Sequence, residues 1–245
     1  VKRGHESFVV SNGGPMAEQV RGQGSTHLYM PIHRKTPASF GQILPMRQLL
    51  QSLKPDIVHV RSRMPAWIVN LALKSLSADE RPAIVSTFHG MYSVNPYSAV
   101  MAKADHVIAV SNCVHDYVQK HFQVPDSKLT VIQRGVDIDA FRQRAVNEQW
   151  REILLSRFPQ LRDKKIIMMP GRISRWKGQL DFLKAMASIV RAHPDCHGII
   201  VGGAEPGKER FLQELETERS RLNLTNKVSF LGQRNDMTNL YLFAD

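Results

Sequence analysis

Short apolar runs alternate along the chain with longer stretches whose apolar positions recur at helical spacing. The runs predict strands over Ser7 to Ser11, Asp56 to Arg61, Ala83 to Phe88, His106 to Val110, Leu129 to Ile132, Lys165 to Pro170, Gly198 to Gly202 and Lys227 to Leu231. Most are continuous Val/Ile runs rather than strict alternations, as parallel strands covered on both faces require. Helices are predicted near Pro45 to Leu53, Pro65 to Leu76, Tyr97 to Lys103, Asn112 to His121, Gly178 to Ala192 and Lys208 to Asn223. Asn112 after Ser111, and Asp126-Ser127, supply cap and turn chemistry. The alternation predicts an open, doubly wound parallel sheet, with ligands at the carboxyl ends of its strands.

The rhythm breaks between Asp137 and Asp163. A polar stretch from Gln143 to Gln149 and a helix near Trp150 to Phe158 precede a restart of the strand–turn–helix pattern. Two Rossmann-like domains facing each other are expected, over residues 1–145 and 146–245. Both ends read as cut. An earlier strand and helix are expected before Gly4-His5-Glu6, and the stretch from Met237 to Asp245 reads as a helix with no strand after it.

The stretch Gly171-Arg172-Ile173-Ser174-Arg175-Trp176-Lys177-Gly178 carries the most chemistry. It joins a buried strand to a helix through a glycine turn rich in cations. Unpaired N–H groups at a helix start favour an anion. Arg172 adds a bidentate fork and Lys177 a point charge, so both are read as phosphate ligands. Gly202-Gly203, after the next strand, predicts close approach of a nucleotide to backbone and forms a second wall of one crevice. Arg175 reads as solvent-facing, Trp176 as packing under the turn, and Glu205 as a helix-start acid outside the site. His59 and Asp105 read as structural, and His115, His121, His193 and His197 as surface groups.

Charge changes the picture only in part. The chain carries 33 basic against 22 acidic residues, a formal net charge of +11. That field suits nucleic acid, an anionic membrane face or phosphorylated substrates, and equally a merely solubilising surface. No nucleic-acid-binding motif is present and 7% of residues are aromatic, so nucleic acid is not the expected partner. Cys113 and Cys196 lack neighbours at metal spacing, so no disulfide framework or zinc site is expected and a reducing compartment fits. No apolar stretch approaches the roughly 20 residues that span a bilayer. Cytoplasm is the expected location, with peripheral contact at an anionic membrane face.

Several segments in order resemble the retaining GT-B glycosyltransferases of family 4, which include bacterial lipopolysaccharide and polysaccharide sugar transferases. They are Gly4-His5-Glu6, Lys54-Pro55-Asp56-Ile57-Val58-His59, Ser86-Thr87-Phe88-His89-Gly90, the run from Ala104 to Ser111, Arg134-Gly135-Val136-Asp137, Gly171-Arg172 with Lys177-Gly178, Gly202-Gly203, and the run from Val228 to Gly232. The resemblance implies a GT-B-like fold of two domains across a cleft, with the acceptor on the first and a nucleotide-diphospho-sugar on the second. It implies transfer to a glycan or lipid-linked acceptor in cell-envelope biosynthesis, without metal or cofactor. Arg172 and Lys177 would hold the donor diphosphate beside Gly171, and Gly202 and Gly203 would admit the nucleotide. Gly232, Gln233 and Arg234 would lie beside its base. His89 matches the histidine near the transferring sugar, though the same residue also suits a plain sheet-end hydrogen bond.

Three departures stand out. The family's Gly-Gly phosphate loop would precede Val1, and its Glu-x7-Glu element would follow Asp245. Arg134 stands where the family often has Asn. A chain with these limits is expected to bind donor weakly and to be a poor catalyst alone. A GT-B-like nucleotide-sugar epimerase is the alternative enzyme, and a basic nucleic-acid-binding module the alternative from another class.

Overall fold

A computed structural model describes residues 1–245 apart from 2, 15, 143, 144, 205, 206 and 208. The described residues divide into two compact units, Val1–Gly135 and Val136–Asp245. Every strand pair in both is parallel.

The first unit runs β1 Phe8–Ser11, α1 Met16–Gly22, β2 Thr26–Tyr29, α2 Ile43–Leu53, β3 Ile57–Val60, α3 Arg63–Leu73, β4 Ala83–Phe88, α4 Pro96–Ala99, β5 His106–Ala109, α5 Asn112–Phe122 and β6 Leu129–Val131. β1 and β2 form a two-stranded sheet, and the main sheet has the order β3-β4-β5-β6. α1 and β2 lie where the sequence pattern predicts neither helix nor strand. The reason is local: α1 has no buried residue, and β2 reads exposed or half-buried along its length. Neither therefore carries the apolar face from which periodicity is read.

The core of this unit gathers around Phe88, Ile68 and Met101, all fully buried. Phe88 packs against Tyr92 and Phe122, with ring centroids 5.1 and 5.2 Å away. Asp105 is structural as expected: its carboxylate accepts from the Ile84 N–H at 2.7 Å. His59 is tied to Thr87 across the neighbouring strand at 2.7 Å.

The second unit runs α6 Glu148–Arg157, β7 Lys165–Pro170, α7 Gln179–Ala192, β8 Cys196–Val201, α8 Arg210–Arg221, β9 Val228–Gly232 and α9 Met237–Phe243. The sheet order is β7-β8-β9, so β8 is central, and each of its six residues is buried. Alternation along β8 divides the core. Ile199 and Val201 meet Leu154, Leu155 and Leu240 from α6 and α9, while Ile200 meets Leu183, Met186 and Leu215 from α7 and α8. Helices thus cover both faces, which is the doubly wound arrangement and explains the unbroken apolar run. Full burial of each such aliphatic side chain contributes roughly 1.5–3 kcal/mol.

His197, read from sequence as a surface group, is instead 1% exposed. It sits at the amino end of β8 and bonds the Ser229 hydroxyl at 2.9 Å, which also accepts from Gln160 at 2.9 Å. Burial, aided by Lys227 and Lys164, pushes its imidazole down to about 4. Glu205 and Lys208, to which the sequence assigns the start of the next helix, lie outside the described residues.

Candidate functional site

In the second unit, three strands end side by side in glycine. β7 runs into Gly171, β8 into Gly202, and β9 terminates at Gly232. The ladder continues through these residues: the Gly171 N–H donates to Val201 O at 2.8 Å, and the Gly202 N–H donates to Gly232 O at 2.9 Å. The Ile173 N–H then donates to Gly203 O at 3.0 Å. A shift in register between Ile200 and Val201 bends β9 at this same edge. Gly202 is required by space. A Cβ there would lie 2.0 Å from the Gly171 carbonyl oxygen, far inside contact distance, so only a bare backbone fits.

Beyond these ends lies a concavity of about 380 Å³, within the range of small-ligand sites. Gly171, Arg172, Gly202, Gly203, Gln233 and Arg234 line it together with Met237. Six of the sequence-predicted site residues therefore meet at one surface. Lys177 and Gly232 stand just outside the lining, but the Lys177 stem runs over Gly171, within 3.9 Å of where a side chain would project.

The cation-rich turn is a single 3-10 turn, Arg175–Lys177, followed by Gly178 at φ 78° and then α7. The left-handed Gly178 lets the chain reverse into the helix without a side-chain clash. No side chain caps the helix start, which leaves first-turn N–H groups for water or a ligand. Arg172 and Lys177 are exposed. Arg175 is engaged elsewhere: it forms a two-point ion pair with Glu214 and stacks over Phe211 at 4.7 Å. Trp176 corrects the sequence reading outright. It is 96% exposed rather than packed under the turn, because a one-turn helix between two charged neighbours has no apolar surface to cover.

Sequence reasoning missed Gln179. It is 1% exposed, and its amide donates to the Arg172 carbonyl at 3.0 Å. The side-chain oxygen is buried without a partner among the described residues. A glutamine directly after the Lys177-Gly178 turn was the available signal, and helix periodicity gave it no weight. Arg234 is fixed by a two-point pair with Asp236, whose other partner is the Trp150 indole N–H. Burial works to raise the Asp236 carboxyl, but these donors outweigh it and hold it below the ordinary range.

His89 belongs to the first unit, one residue beyond β4. Its Nδ1 accepts from the Arg134 guanidinium at 2.9 Å. Arg has no acceptor to offer, so this bond places the imidazole proton on Nε2. Burial lowers the His89 pKa, and the positive charges of Arg61 and Arg134 push it further down. The ring is therefore held neutral, with Nε2–H as its donor. Among the described residues, no group of three or more His, Cys, Asp or Glu side chains could hold a metal ion, and no helix is long and apolar enough to cross a membrane.

Comparison with known proteins gives the family and the fold. Residues 1–140 match the family described as Glycosyltransferase Family 4, and residues 152–245 match Glycosyl transferases group 1. The chain is 25% identical over 210 residues to spore coat protein SA of Bacillus subtilis, covering 82% of this chain and 52% of that protein. It thus spans about half the length of that relative. A crystal structure of a glycosyltransferase from Rickettsia africae superposes with a TM-score of 0.81 at 28% identity, covering all of this chain and 64% of that one. Anabaena Alr3699/HepE in complex with UDP-glucose gives a TM-score of 0.76 at 21% identity, covering 97% and 64%.

Proposed function

From a chain that belongs to glycosyltransferase family 4, and whose two units are built as parallel α/β sheets of the GT-B kind, we propose a sugar transferase that uses a nucleotide-diphospho-sugar. The donor lies against the glycine edge of the second unit, and a glycan or lipid-linked acceptor of cell-envelope biosynthesis against the first. The observation that carries this is Gly202, where backbone packs so tightly on Gly171 that no side chain fits, directly beneath a concavity of ligand size.

The physical logic concerns the leaving group. Breaking the sugar–phosphate bond builds negative charge on the diphosphate and positive charge on the anomeric carbon. Arg172, Lys177 and the uncapped start of α7 offer fixed positive charge and N–H dipoles to the former. Losing one such donor raises the barrier by ~2.7–4 kcal/mol. His89, neutral with Nε2–H as donor, is suited to hold a sugar oxygen rather than to remove a proton. Gln233 and Arg234 flank the place for the base. Transfer proceeds with retention, the acceptor entering on the leaving-group face, and no side chain here is assigned as a general base.

UDP-glucose is the first donor to test, because the Anabaena structure is a complex with it. Calorimetric titration of UDP-, GDP- and ADP-sugars into the 245-residue chain should find one that binds, with Arg172→Gln or Lys177→Gln weakening it. The anomeric configuration of the product, read by NMR with the full-length protein, tests retention. No binding by any nucleotide sugar would contradict the proposal.

A further inference from the structure

The carboxyl edge of the first sheet is lined with cations that have no acid partner among the described residues. Arg61 follows β3, Arg63 opens α3, and Arg134 lies beyond β6. β6 is two strands from β4 in the sheet order, yet the Arg134 side chain reaches back to His89 at 2.9 Å. The charge of Arg61 bears on both His59 and His89. Arg63 stacks on Tyr92 and Tyr97 at 5.1 and 5.3 Å and donates to Ser98 at 3.3 Å, and Lys35 stands over Tyr97 at 4.3 Å. Among the described residues none of these four cations forms an ion pair with a carboxylate. α3 begins here with no side-chain cap and no acid in its first turn.

Like charges gathered over a half-buried edge repel, and the bond from Arg134 to a neutral imidazole relieves none of that repulsion. Elsewhere some exposed cations are paired, as Arg175 is with Glu214 and Arg221 with Glu218. The gathering of unpaired cations at one strand edge, around a histidine that one of them bonds, points to an anion brought from outside. A planar guanidinium fork matches phosphate geometry, and stacking on tyrosine pre-orders Arg63 so that less freedom is lost on binding.

We propose that this edge is a second anion site, built by Arg61, Arg63 and Arg134 around His89, and that it takes a phosphate monoester or diphosphate borne by the acceptor. The identification with the acceptor rests on the reading of the first unit given above. The anion site itself stands on the residues.

The test follows the His59 and His89 ring signals by NMR in the 245-residue chain, with UDP present in excess to occupy the glycine edge. Methyl phosphate and inorganic pyrophosphate should move both signals saturably. The Arg61→Gln/Arg134→Gln double variant should raise the dissociation constant about tenfold or more. Both residues are exposed, and a melting curve together with the single Arg61→Gln variant guards against misfolding. Unmoved histidine signals, or equal binding by the double variant, would overturn the proposal. If UDP fails to bind while the histidine signals still move, the donor reading falls and this one stands. Phosphatidylcholine vesicles carrying a polyprenyl diphosphate separate the sources. Co-sedimentation that the double variant loses assigns a lipid-borne anion, and binding of the soluble probes alone assigns a soluble phosphorylated acceptor.

Discussion

The two main sheets are built on one plan and end in opposite ways. In the second unit β7, β8 and β9 give way to Gly171, Gly202 and Gly232, so bare backbone meets the concavity. In the first unit β3 and β4 give way to Arg61 and His89, so that sheet edge presents side chains instead. A backbone edge offers N–H dipoles at short range and suits a ligand that must lie close along the sheet, as a nucleotide does. A side-chain edge projects charge further and can be retuned residue by residue.

The sharpest way to break that contrast is one methyl group placed at each edge. Gly202→Ala puts a Cβ 2.0 Å from a carbonyl oxygen. It should lower stability by about 3 kcal/mol and abolish nucleotide binding, read by thermal unfolding and UDP titration. Gly90→Ala, beside His89, meets no atom within 4 Å, and its stability should stay within about 0.5 kcal/mol of the parent. Equal effects would dissolve the distinction.

Histidines sharpen it next. His197, at the far end of β8, is held neutral with a pKa of about 4, whereas the unfolded chain takes up that proton near 6.5. Its contribution is complete above pH 6.5 and drains as pH falls toward 4, amounting to about 3 kcal/mol. Urea unfolding at pH 7 and pH 4.5 should show a loss that His197→Gln largely removes. If the parent and the variant respond alike to pH, that linkage is wrong.

Smaller effects belong to the turn from Gly171 to Gly178. Lys177→Gln should weaken UDP about tenfold with the melting temperature unchanged, since the ammonium is exposed and its loss strands no buried group. Gln179→Leu removes a bond to the Arg172 carbonyl but also a buried oxygen with no partner among the described residues. The two terms offset in stability, so binding should weaken a few-fold while unfolding barely moves. Smallest of all, Arg134→Gln should raise the His89 pKa, because one of the charges that depress it is gone. An NMR titration of the ring reads that directly, and an unmoved or falling value would contradict the assignment.

Much of this was legible in the residues. The runs at Ile57, Ala83, His106, Lys165 and Val228 announce parallel strands, although β3 buries only Val60, and the glycines that follow β7 and β8 mark the edge on which the concavity opens. What stayed hidden had physical reasons. α1 and β2 bury too little apolar surface to leave a periodic trace. The helix predicted from Tyr97 to Lys103 is in fact α4 and a 3-10 turn, since Asn95 caps it early and Pro96 fixes its first residue. Trp176 and His197 each defeat the usual expectation for their type, the tryptophan by exposure and the histidine by burial. The reach of Arg134 to His89 spans 45 positions in sequence, a contact that no local pattern encodes.

The most direct trial of the central claim is an amide NMR map of UDP-glucose bound to the 245-residue chain. Saturable shifts are expected from Gly171 to Gly178 and at Gly202 and Gly203, needing about tenfold more ligand in Lys177→Gln. Shifts confined to the first unit, or none at millimolar ligand, would contradict it.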